Sequence, residues 1–157
     1  MKFSSPLSLL ALSLMGLSAQ AQPLSLQNPS FEEAGETLAS TTPNGSGWTA
    51  QGLVARSWSD NSSWADTGVS YGIEKTNPHS GKSSQRVSIN RIGGGAAQFV
   101  QSAHFQKGHL YRFSVWLRGT PGSRLTVQFQ QSGAPYSNYG SMSAGLSAEW
   151  QRFSPFR

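Results

Sequence analysis

Polar and apolar residues alternate along this chain, and they do so in short runs. In "HLYRFSVWLRG", Tyr111, Phe113, Val115 and Leu117 fall on one side of an extended strand. Arg112, Ser114, Trp116 and Arg118 fall on the other, because side chains of a strand alternate with period two. "RLTVQFQQ" sets Leu125, Val127 and Phe129 against Thr126, Gln128 and Gln130, and "SSQRVSINR" sets Val87 and Ile89 against Arg86, Ser88 and Asn90. Shorter runs of the same kind are "LVARSW", "VSYGIEK", "AAQFVQ" and "WQRFSPF". Turn residues separate them: Pro43-Asn44-Gly45, Asn77-Pro78, Ser80-Gly81, Gly93-Gly94-Gly95, Lys107-Gly108 and Thr120-Pro121-Gly122. Beyond the first 21 residues no segment keeps an i, i+3, i+4, i+7 apolar spacing for three turns. Many short strands at this spacing predict an all-β sandwich or barrel.

The first residues read differently. Lys2 is followed by an apolar run from Leu7 to Leu17 and then Ala19-Gln20-Ala21, a small-x-small cleavage pattern. The run is too short for a permanent span, so residues 1–21 are expected to be a cleaved signal peptide and residues 22–157 one secreted or periplasmic domain. With no cysteine in the chain, disulfides cannot staple an exported fold. Lys and Arg outnumber Asp and Glu by 12 to 7, but they are scattered singly. No basic tract argues for nucleic acid, and no later segment is long enough to span a membrane as a helix.

"RSWSDNSSWAD" puts Trp58 and Trp64 among Ser, Asn and Asp, with almost nothing aliphatic beside them. Loops at the rim of a sandwich carry function, and an indole with a polar surround is a stacking platform for the C–H face of a sugar. Trp64 is expected to be the platform, with Trp58 either a second one or folded inward over Val54 and Arg56. Tyr136 and Tyr139 in "APYSNYGS" read as a second aromatic loop. On the strand faces, Arg112, Trp116, Arg118, Gln128 and Gln130 offer an indole, guanidinium forks and amides, which match sugar rings and paired hydroxyls. The bland reading of the same residues is a solvated strand face.

Four segments, in order, resemble one known family. "LQNPSFEE" followed by the tryptophan of "GSGW", "NPHSGKSSQRVSI", "FVQSAHFQKGHLYRFSVWLRG" and "EWQRFSPF" are similar to the carbohydrate-binding modules of the families 4, 9, 16 and 22 group. The resemblance covers most of residues 24–156. It implies a galactose-binding-like jelly roll, non-catalytic, attached to a downstream glycoside hydrolase that acts on plant or algal β-glycans. It also places Trp48 and Trp150 at core-facing positions. Such modules continue for two more strands and end near an Asp, so the domain is expected to be incomplete at its C-terminal end. They hold a structural calcium, which here would fall to Glu32 with carbonyls around Asn28 and Lys82, an oxygen set that suits this cation.

Catalysis finds little to work with. Glycoside hydrolysis needs two carboxylates held across a cleft, and Asp60 and Asp66 are the one loop pair near aromatics. His79, His104 and His109 follow no metal-binding spacing, and no G-x-S-x-G elbow occurs. The expectation is a polysaccharide-binding module and not an enzyme. The alternative is a structural or adhesive jelly roll whose aromatics dock on a neighbouring domain.

Overall fold

The computed structural model describes residues 25–40 and 45–154, and every regular element among them is a strand. In chain order these are β1 (Ala34–Ser40), β2 (Thr49–Ala55), β3 (Ser59–Asp60), β4 (Asp66–Glu74) and β5 (Ser84–Gly94). There follow β6 (Phe99–Val100), β7 (Val115–Leu117), β8 (Arg124–Gln130), β9 (Asn138–Gly145) and β10 (Gln151–Phe153). The expected leader, residues 1–21, lies outside the described residues.

A four-stranded sheet in the order β1-β2-β4-β5 carries the core. β2 and β4 run parallel, while β1 and β5 pair antiparallel with their neighbours. The register sets Ala50 beside Val69 and Gly52 beside Tyr71. Period two then sends Val54, Val69 and Tyr71 to one side, where they are buried with Ala50. The short β3–β6 ribbon closes over that side, bringing Trp58 and Phe99 against it together with Trp48 and Ala97. Trp58 stacks on Phe99 at 5.0 Å between centroids, and Phe31 tilts against Trp58 at 5.1 Å. Burying each such ring contributes about 1.5–3 kcal/mol.

The cover stops before the edge strand. Val87 opposes Tyr71 and Ile89 opposes Val69, so both sit on the core side of β5, yet both are exposed, as is Ile92.

Two further ribbons follow. β7 pairs with β10, matching Trp116 with Arg152. β8 pairs with β9, matching Gln128 with Ser141 and Thr126 with Ser143. Their connections are tied by Gly119 N–H to the Ser147 carbonyl and by Leu146 N–H to the Ser123 carbonyl. Phe105 and Phe113 both meet Phe129 edge-on, filling the apolar side of β8.

The architecture is all-β with several sheets, consistent with the expected sandwich. Three details depart from the sequence reading. The long strand expected across 109–119 is paired only at Val115–Leu117, because its partner β10 is three residues long. Tyr111 leaves the ladder altogether, and its hydroxyl accepts the Gln106 N–H. β1 and β9 were not foreseen, since "AGETLAS" and "NYGSMSAG" are rich in small residues of low strand propensity. Consequently Tyr139 lies on a strand and not in a loop.

Candidate functional site

The loop carrying Trp58 and Trp64 is organised around one carboxylate. Asp60 accepts hydrogen bonds from the Trp48 indole N–H (2.9 Å), the Ser62 N–H (3.1 Å), the Ser62 hydroxyl (2.7 Å) and the Tyr71 hydroxyl (2.6 Å). Four donors satisfy a partly buried anion that would otherwise be costly. Burial, and then the contact with Asp60, push the Tyr71 phenol pKa well above its ordinary value. Ser62 in turn accepts the Gln98 N–H through its hydroxyl (2.8 Å), and Asn61 N–H donates to the Gln98 carbonyl (2.9 Å). The loop is therefore held from both ends.

On this anchored loop the two indoles take opposite roles. Trp58 is packed between Phe31 and Phe99, and its N–H donates to the Asn28 carbonyl (3.2 Å). It faces inward and meets the core cluster that contains Val54. Trp64 is 56% exposed. Its N–H donates to the Asn61 carbonyl (2.9 Å), and its six-membered ring rests over Gly95. Gly95 has φ +79, and a Cβ there would come within 2.8 Å of that ring; glycine is what lets the indole lie down on the backbone. The result is an oriented aromatic surface bordered by the amides of Asn61 and Gln98, which bond each other at 2.9 Å.

A second cluster forms on the β7–β10 ribbon. Trp116 faces Arg152 across the ladder, and the Arg118 guanidinium lies over the Trp150 ring at 5.2 Å. Trp150 thus sits on the outward face beside Trp116, not in the core as the resemblance implied. Its N–H donates to the Asn77 carbonyl (3.1 Å), which brings the 77–79 turn onto the ribbon. His79 stacks on Trp116 at 3.8 Å and meets Trp150 edge-on at 5.9 Å. Trp116 keeps 42% of its surface exposed.

The third group lies on β8–β9. Thr126, Gln128 and Gln130 point outward beside Ser143 and Ser141. Gln128 donates to Gln130 (3.1 Å), and Gln130 donates to the Tyr136 carbonyl (3.1 Å). Tyr136 is 59% and Tyr139 71% exposed, with the Tyr139 hydroxyl near the Gln131 amide (3.4 Å). Amides, hydroxyls and phenols make this face polar, with the exposed Arg124 adding a charge at the start of β8.

The sequence candidates thus divide into three patches. Arg112 is exposed and, among the described residues, makes no hydrogen bond or ion pair with any of them. Sequence reasoning missed His79, Asn61, Gln98, Gly95 and Arg152. Arg152 was readable, since it shares strand parity with Trp150; His79 carried no signal.

Of the oxygens expected to hold calcium, those of Glu32 and the Asn28 carbonyl already accept hydrogen bonds. Glu32 accepts the Lys82 N–H on both oxygens (3.0 and 3.1 Å), with the Ser83 hydroxyl at 3.5 Å. Gly81, at φ +66, lets the turn press against this carboxylate, for a Cβ there would fall 2.1 Å from Glu32 Oε1. The Asn28 carbonyl already accepts the Phe31 and Trp58 N–H groups. Among the described residues no three His, Cys, Asp or Glu side chains gather. This arrangement is a hydrogen-bonded staple between residue 32 and the 81–83 turn, and as it stands its donors do not fit the ion. Of the two acids considered for catalysis, Asp60 is the hub just described, and Asp66 is ion-paired with Arg91.

Among the described residues no helix is long and apolar enough to cross a membrane. Comparison with curated proteins and with solved structures found no match. The family model of a carbohydrate binding domain, CBM_4_9, matches residues 25–155, and the chain belongs to that family of sugar-binding, generally non-catalytic modules.

Proposed function

We propose that this chain binds polysaccharide of the plant or algal β-glycan class and holds an attached glycoside hydrolase against it, from outside the cytoplasm. The observation that carries the reading is Trp64. It is a large ring, exposed, fixed by its own N–H and by Gly95, and bordered by amides that can address ring hydroxyls. An aromatic platform of this kind contributes about 1 kcal/mol. Trp116 and the Gln128–Tyr136 group add further contacts on their own ribbons. Weak individual contacts suffice for a tethering module, because attachment raises the effective concentration of the partner.

Affinity electrophoresis of the folded chain through gels containing β-glucans, xylan or other β-linked glycans tests this. Retention by at least one of them is expected, and Trp64→Ala should weaken it about fivefold to tenfold. No retention by any glycan would sink the reading.

A docking role has one observation in its favour: the exposed core-side face of β5 at Val87, Ile89 and Ile92, where an apolar patch fits a neighbouring domain. Under that reading acrylamide would quench the tryptophans less once the rest of the polypeptide is present.

A further inference from the structure

The charges of this chain are unevenly distributed. Between residues 25 and 96, Arg56, Lys75, Lys82, Arg86 and Arg91 stand among Glu32, Glu33, Glu36, Asp60, Asp66 and Glu74. Both ion pairs found among the described residues lie in this half, Arg56 with Glu33 at 3.0 Å and Arg91 with Asp66. Between residues 97 and 154 stand Lys107, Arg112, Arg118, Arg124 and Arg152, with Glu149 as the sole carboxylate. The ion pairs of the first half have no counterpart among the described residues of the second.

Two of these arginines share a face with two indoles. Arg152 stands opposite Trp116, and Arg118 lies over Trp150, so rings and guanidiniums alternate like a checkerboard. Arg118 and Arg152 are diagonal neighbours, about 7–8 Å apart by strand geometry. The Arg152 guanidinium donates to the Ser114 hydroxyl (3.1 Å), which steadies one edge of the fork and leaves other donors for a ligand. A guanidinium presents five donors and no acceptor. Neutral hydroxyls give it little reason to be there in pairs, whereas carboxylates and sulfates match its planar fork.

We infer that the β7–β10 face takes a polysaccharide carrying carboxylate or sulfate groups. Arg118 and Arg152 bind the anions of neighbouring sugars, while the aromatic cluster of Trp116, Trp150 and His79 flanks their rings. This deepens the proposed function and rests on it.

The test uses the intact chain in affinity electrophoresis against a polyuronate, the same polymer after carboxyl reduction, a sulfated galactan and duplex DNA. The polyuronate or the sulfated galactan should be retained about tenfold more tightly than the neutral polymer, and raising salt from about 0.15 to 1 M should erase the difference. Which of the two is retained identifies the anion. Arg118→Gln and Arg152→Gln should each remove most of that preference. Arg56→Gln makes the same change in net charge on the other half and should leave it intact. Near-UV circular dichroism confirms that each variant is folded.

If neither the polyuronate nor the sulfated galactan is retained more tightly than the neutral polymer, the anionic reading is overturned and sugar binding still stands. No retention of any glycan overturns both. If Arg56→Gln weakens binding as much as Arg152→Gln does, or DNA binds as well as the polyuronate, the attraction is net charge alone and the face is not a site.

Discussion

The four-stranded sheet with its β3–β6 cover and the β7–β10 ribbon both carry tryptophan beside charge, and they use it in opposite ways. In the first, Trp48 and Trp58 point inward, and Asp60 spends every oxygen on internal donors. In the second, Trp116 stays partly open, and Arg118 and Arg152 keep donors that no carboxylate of the described residues takes. Satisfied polar groups build stability and specify one packing. Incompletely satisfied ones cost stability and are retained where a ligand completes them. The first region is internally satisfied and presents a single open indole, Trp64, at its rim, whereas the second leaves its guanidinium donors open beside its rings.

Several measurements can break that contrast. The largest effect is expected within the single loop that holds both indoles. Trp58→Ala removes a ring wedged between Phe31 and Phe99 and should cost about 3–5 kcal/mol, read as a lowered denaturant midpoint. Trp64→Ala, at an exposed position, should change stability by no more than about 0.5 kcal/mol while weakening glycan retention. Comparable losses of stability from both would erase the distinction between anchor and platform.

Tyr71→Phe probes the Asp60 hub more gently. It deletes a 2.6 Å hydrogen bond to a carboxylate and should cost about 1.5–3 kcal/mol at neutral pH. The phenol pKa is raised in the folded state, so the native chain holds its proton longer than the unfolded chain does. Its contribution is complete below the unfolded tyrosine pKa of about 10 and declines as pH rises above it. Wild type should therefore lose stability above about pH 10 more steeply than Tyr71→Phe. Parallel alkaline limbs for the two proteins would show that Tyr71 is not linked to the fold in this way.

The smallest effect concerns the Glu32 staple. With its oxygens on the Lys82 N–H and Ser83 hydroxyl, chelator and millimolar calcium should give melting temperatures within about 1–2 °C of each other. A midpoint that climbs steadily with calcium would show the turn reversing so that carbonyls, not N–H groups, face the carboxylate.

Much of the candidate site's geometry was legible in the sequence. The polar surround of Trp64 marked it as an outward ring, and the alternation of Arg112 to Arg118 placed Trp116 and Arg118 on one face. The same rule could have added Trp150 and Arg152 from "EWQRF". Depth was less legible than side. Val87 and Val69 share a core-side face by parity, but Val69 is buried and Val87 is exposed, because parity says which way a side chain points and not what lies over it.

Period two and turn residues, read along the chain, determined that the protein is all-β, where most strands lie and which residues share a face. These are local consequences of backbone geometry, and a few neighbouring residues suffice to express them. The tertiary structure alone decided that Trp58 turns in while Trp64 lies on Gly95, that His79 crosses to Trp116, and that arginines and indoles alternate over β7 and β10. Those outcomes depend on strand register and on contacts between segments 30 to 73 residues apart. Such contacts are selected by the packing of the whole chain, and no short stretch of sequence contains both partners.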